Sequence, residues 1–187
     1  SVFCIGRNYS DHIKEMKSEP TSSPVVFLKP RSSIIHSGDT LHTPPQSNDV
    51  HHEVEMVLLV GKKTSKISSE QALSSILAVG IGIDFTARDI QSQAKKDGRP
   101  WTLAKGFDTF APVGNFVTYN EGIDLDDIEL SLSVNKKIRQ HDNTSLMIFK
   151  PAQIISYLSY QFTLTPGDLI FTGTPKGVAA VSDGDTI

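Results

Sequence analysis

The chain has a single cysteine, Cys4, among 187 residues. One thiol closes no internal disulfide and builds no thiolate metal site, so a reducing compartment is expected. No apolar run approaches the roughly 20 residues that a membrane-spanning helix needs. Neither sign of charge dominates: 18 Lys and Arg stand against 21 Asp and Glu, a net −3. The charges are spread along the chain, which argues against nucleic acid or a membrane surface as the partner. Repeats, low-complexity tracts and linkers are missing, so residues 1–187 read as one domain. Ser1 opens directly into VFCIG with no visible targeting segment, although a cleaved leader would leave the same start. An intracellular location, mitochondrial or cytoplasmic, is the expectation. SDGDTI ends on a turn that looks ready to launch another strand, so the native protein is expected to continue.

What is present fits a folded globular protein: 38% hydrophobic and 21% charged residues, in a chain long enough for a sizeable core. The pattern predicts strands over 2–6, 24–30, 50–61 and 78–85, and a hairpin with loop over 33–46. A second hairpin is predicted over 128–140, turning at Asn135-Lys136. Helices are predicted over 7–17, 68–77, 86–98 and 151–162, the last with Pro151 in its first turn. The fold class is α+β, mostly β, with a few short helices.

HHEVEMVLLVG, residues 51–61, places Glu53 and Glu55 two apart just before an apolar run. On a strand, alternate side chains share a face. The plainer reading is a solvated face with Val54 and Met56 turned inward. Against it, MVLLV is the unbroken run of a strand covered on both sides. Carboxylates leading into such a strand must be solvated, protonated or bound to a cation. Asp84 closes another apolar run, ILAVGIGID. Three carboxylates at the rims of two buried strands could converge on one hard cation, Mg²⁺, Mn²⁺ or Ca²⁺. His51 and His52 are weaker ligand candidates, because His52 faces away from Glu53 and His51 lies at the edge.

His12 and Glu15, three apart in DHIKEM, share one helical face, where a carboxylate orients an imidazole as a base. An exposed polar helix explains the same pattern. In DFTARDIQSQAKK, Arg88 and Gln91 share a face that follows on from Asp84, and a guanidinium there suits a substrate carboxylate. Lys95 and Lys96 read as surface residues. Lys29 and Lys105 stand alone in apolar surroundings, snorkelling or poised in a site. Thr174 lies in a loop of small residues after the strand DLIF.

In this order, GRNYSDHIKEM, FLKP, EVEMVLLVG, IDFTARDIQ, PWTLAKGFDTFAPVG and TPGDLIFTGTPKGV resemble the fumarylacetoacetate hydrolase family, from Val2 to about Val178. The likeness is to its short single-domain branch of acylpyruvases and oxaloacetate decarboxylases. It implies a mixed, mostly β roll that forms a homodimer and holds Mg²⁺ or Mn²⁺. It implies Glu53, Glu55 and Asp84 as metal ligands, and His12 with Glu15 as a water-activating pair on a lid. It implies Lys29, Arg88, Gln91, Lys105 and Thr174 around a small 2-oxo acid, with Lys105 counted among the catalytic groups. The family continues with further strands beyond TPKGV. The implied reaction is carbon–carbon hydrolysis of acylpyruvates. Oxaloacetate decarboxylation or tautomerisation, or isomerisation or decarboxylation of aromatic-degradation intermediates, are the alternatives. A metal-stabilised binding module is the non-enzymatic one.

Overall fold

The computed structural model describes residues 1–17 and 19–187. The first half of the chain runs β1 (Val2–Gly6), α1 (Ser10–Glu15), β2 (Val25–Lys29), β3 (Ile34–His36), β4 (Val50–His52), β5 (Val54–Val60), α2 (Ser69–Ala72) and β6 (Ile76–Ile83). There follow β7 (Thr86–Ala87), α3 (Arg88–Lys96), α4 (Thr102–Lys105), β8 (Ala111–Val113) and β9 (Val117–Thr118). The chain closes with β10 (Glu129–Val134), β11 (Lys137–Asn143), α5 (Pro151–Gln161), β12 (Leu169–Phe171) and β13 (Ala179–Ala180).

The protein is mostly β, a curled mixed sheet with a few short helices. Among the described residues, the main sheet has the order β2-β1-β12-β5-β6-β8-β3, with β9 paired to β6. β1 and β12 pair in parallel, as do β3 and β8; the other neighbours are antiparallel. β5 lies at the centre, and its unbroken apolar run has the expected cause. Met56 and Leu58 pack with Ile154, Ile155 and Leu158 of α5. Val57 turns to the other face, among Val2, Cys4 and Phe171. Each fully buried aliphatic side chain of this kind contributes about 1.5–3 kcal/mol. Gly82 on β6 leaves room for Phe171, since a Cβ there would lie 2.7 Å from the ring.

Four local expectations change. The 33–46 hairpin does not form, because β3 pairs in parallel with β8. The segment after it carries Pro44 and Pro45, which bring no N–H to a ladder. The 50–61 strand is two strands: β4 pairs with β13 and β7, β5 with β12 and β6, and the chain changes sheets at Glu53. The 68–77 helix stops early, because Ile76 and Leu77 belong to the apolar run that pairs with β5. The 86–98 helix starts at Arg88, since Thr86 and Ala87 pair with β4. The hairpin at Asn135-Lys136 forms as expected, with φ of 51° and 67° at the two turn residues.

Candidate active site

The change of sheet at Glu53 assembles the acidic cluster. Asp84 follows β6, and its N–H donates to the Glu53 carbonyl at 2.8 Å, pinning two strand ends together. Glu53, Glu55 and Asp84 each offer one oxygen, all within 4.8 Å of one another. The three residues are 4%, 1% and 1% exposed, so solvation does not account for them.

Cations surround the cluster. Lys105, delivered by α4, places Nζ 2.8 Å from Glu53 Oε2 and 2.6 Å from Asp84 Oδ2. Arg88 opens α3 and donates to Glu53 Oε1, while its other terminal nitrogen donates to Gln91 Oε1 at 2.7 Å. Arg88 Nε is buried and unpartnered. Lys29 Nζ donates to the carbonyls of Phe85, Lys105 and Phe110. Burial opposes ionisation of Glu53, but the Lys105 and Arg88 charges hold its carboxyl well below the usual range. Burial likewise opposes the Lys105 ammonium, and Asp84 and Glu53 keep its pKa above the usual value. Glu55 goes the other way: burial first, then the Asp84 and Glu53 charges, push it well above.

Two observations fit a hard divalent cation. Asp84 Oδ1 is buried without a hydrogen-bond donor, although Lys29 Nζ is 2.7 Å away, because that ammonium's three protons already go to carbonyls. Among the described residues Glu55 has no ion pair; it accepts only the Gly173 N–H at 2.6 Å. Added positive charge at this point would satisfy both carboxylates, and an all-oxygen donor set suits Mg²⁺ or Mn²⁺.

His12 lines the same cavity, and its Nδ1 lies 3.2 Å from Glu15 Oε2. Glu15 is in turn held by the Gly177 N–H, at 3.0 Å and 3.3 Å to its two oxygens. Gly173 and Gly177 thus each aim an N–H at a site carboxylate. Both need glycine: φ is +102° and +97°, and a Cβ on Gly173 would lie 2.6 Å from Asn8 Cβ. Asn8, in GRNY, ties the loops together, donating to the Thr172 carbonyl at 2.7 Å and the Phe149 carbonyl at 3.0 Å. Thr174 lines the cavity, and its Oγ1 accepts from Gln140 Nε2 at 2.9 Å.

The structure therefore brings His12, Glu53, Glu55, Asp84, Arg88, Gln91, Lys105 and Thr174 around one cavity, with Lys29 behind Asp84 and Glu15 behind His12. The two histidines of HHEVE stay outside the acidic cluster. His52 Nδ1 bonds Gln140 Oε1 at 3.0 Å, and His51 Nε2 bonds Asp49 at 2.8 Å. Lys95, read as a surface residue, instead lines the cavity together with Arg7 and Trp101. The signal was available for Lys95, which stands at i+7 from Arg88 and i+4 from Gln91 on one helical face. Arg7 sits inside GRNY. Gln140 had no signal, because an alternating hairpin strand does not reveal which loop it will meet.

The model of the fumarylacetoacetate (FAA) hydrolase C-terminal region matches residues 1–187. The chain belongs to the fumarylacetoacetate hydrolase family. An uncharacterized protein of Pyrococcus horikoshii is 46% identical over 186 residues, covering all of this chain and 81% of the relative. The mitochondrial oxaloacetate tautomerase of Bos taurus is 42% identical over 187 residues, covering all of this chain and 85% of the relative. Fumarylpyruvate hydrolase from Pseudomonas aeruginosa, solved with Mn²⁺ and pyruvate, superposes with a TM-score of 0.92 at 38% identity. That match covers 98% of this chain and 81% of that one. Relatives in the family are thus enzymes acting on small oxo acids. Among the described residues, no helix is long and apolar enough to cross a membrane.

Proposed function

We propose that this family member is a Mg²⁺- or Mn²⁺-dependent enzyme of 2-oxo acids that tautomerises oxaloacetate between its enol and keto forms. The observation that carries the reading is the placement of His12, oriented by Glu15, on the same cavity as three converging carboxylates. Glu53, Glu55 and Asp84 would hold a divalent cation, which would supply Lewis acidity and lower the cost of enolate character in a bound 2-oxo acid.

The chain's own groups do the rest. Arg88 Nε, the buried donor left over, pairs the substrate carboxylate. Glu15 accepts from His12 Nδ1, which leaves Nε2 as the basic atom. His12 takes the enol proton and returns one to C3, so the O–H bond breaks and a C–H bond forms with no net gain or loss. Lys105 keeps Glu53 and Asp84 in place and balances their charge. The cavity is about 30 Å³, room for roughly two waters.

Acylpyruvate hydrolysis is the second reading, favoured by the same His12–Glu15 pair, which suits water activation. The test is the loss of the enol absorbance of oxaloacetate with Mg²⁺, Mn²⁺ or EDTA, alongside acetylpyruvate cleavage. Metal-dependent acceleration of the first supports tautomerisation. No acceleration of either reaction over metal alone would sink both readings.

A further inference from the structure

Two cations on the cavity wall take no part in the acidic cluster. Arg7, just past β1, and Lys95, on α3, both bear on Trp101, with the guanidinium carbon 5.9 Å and Nζ 5.3 Å from the ring. Gly6 makes the space, because a Cβ there would lie 3.1 Å from the indole. Among the described residues neither cation forms an ion pair with a carboxylate. Arg7 Nε is buried without a partner, and Arg7 sits at φ 58°, a left-handed conformation that costs a non-glycine residue. Burial, then the Arg88 and Arg7 charges, pull Lys95 down to about 8. Two like charges crowded around one indole, with donors unspent, are arranged to receive an anion. They share a cavity with Glu53, Glu55 and Asp84, so an anion received there would be the far end of a ligand whose near end meets the cation those carboxylates would hold.

We propose that Arg7 and Lys95, braced on Trp101, bind the second carboxylate of the substrate, so that the enzyme selects dicarboxylic over monocarboxylic 2-oxo acids. This rests on the 2-oxo acid reading above and sharpens it. It also bears on the choice of reaction. In decarboxylation the C3–C4 electron pair stays behind as enolate and the C4 carboxylate leaves as neutral CO₂. A pair of cations that stabilises the C4 charge opposes that departure and leaves tautomerisation, which keeps both carboxylates charged.

The test uses Lys95→Met, Arg7→Gln and the conservative Lys95→Arg in the Mg²⁺-loaded protein. Lys95→Met and Arg7→Gln are expected to raise KM for oxaloacetate about tenfold, with kcat changed far less. The oxaloacetate-to-acetylpyruvate ratio of kcat/KM falls about tenfold, and Lys95→Arg restores most of it. The share of oxaloacetate lost as CO₂ rises in the first two variants. A ratio unchanged in both would overturn the proposal. Calorimetry with malate and lactate, unreactive hydroxy acids that differ by the second carboxylate, keeps the test independent of turnover. Tighter binding of malate to the wild type, lost in the double variant, supports the subsite even if oxaloacetate is not the substrate. Equal affinities in the wild type overturn it.

Discussion

Lys29 Nζ stands 2.7 Å from Asp84 Oδ1 and gives that oxygen no proton. Its hydrogen bonds go to the carbonyls of Phe85 and Phe110 at 2.9 Å and of Lys105 at 2.5 Å. One buried ammonium therefore stitches together β2, the segment after β6 and the end of α4, and neutralises a carboxylate by proximity alone. Lys29→Met should destabilise the fold by about 3–5 kcal/mol, because it leaves three buried carbonyls without a donor and leaves Asp84 with Lys105 as its one remaining cation among the described residues. Urea denaturation measures this. Adding Asp84→Asn should recover part of the loss; purely additive effects would show that the two groups are uncoupled.

Metal removal is the second expectation. The oxygen of Asp84 that lacks a donor and the elevated Glu55 carboxyl both gain from a divalent ion. At a free concentration of 100 Kd, Mg²⁺ or Mn²⁺ should add about 2.7 kcal/mol to folded-state stability, seen as a rise in Tm that EDTA reverses. Glu55→Gln should abolish the rise. A wild-type Tm indifferent to metal and chelator would contradict the site.

His12→Ala should slow turnover by roughly 10²–10⁴-fold while leaving Mn²⁺ affinity intact, the signature of a lost proton carrier. Glu15→Gln should cost less, since a neutral amide still accepts from the imidazole. Turnover unchanged in His12→Ala would assign the proton to another group. Acid should loosen the same clasp. Burial opposes it, but the bond from His12 and the Gly177 N–H hold Glu15 below its ordinary pKa of 4.5. A carboxylate depressed on folding stabilises fully above that ordinary value and loses its contribution as pH falls through the folded value. Hydrogen-exchange protection of the Gly177 amide should therefore be complete at neutral pH and fail in acid, as pH falls below the ordinary carboxyl value of 4.5.

The far-end subsite makes a prediction in the alkaline range. Lys95 is faced by Arg88, Arg7 and Lys105, and by the Glu53 carboxylate, with burial the largest influence on it. In the free protein its ammonium is lost near pH 8, so KM for oxaloacetate should climb as pH passes that point. KM for acetylpyruvate should climb less. Lys95→Arg, charged throughout, should flatten the rise. Parallel profiles for both substrates would assign the titration elsewhere.

The sequence alone determined much of this protein. The apolar runs flanking Glu53, Glu55 and Asp84 announced covered strands with carboxylates at their rims, groups that must be solvated, protonated or bound to a cation. Spacing alone placed His12 with Glu15 and Arg88 with Gln91, because helical neighbours at i+3 meet whatever the rest of the fold does. Tertiary structure decided the rest. Whether the Lys95 face of α3 turned to solvent or to the cavity depended on where Trp101 came to lie. That Glu15 is held by Gly177 and Glu55 by Gly173 depended on a loop more than 100 residues away in sequence. The strand read as continuous over 50–61 divides because its two halves find different partners, with Glu53 at the point of exchange. Short-range periodicity reports which side chains share a face; which surface that face meets is set by long-range packing, and no local pattern encodes it.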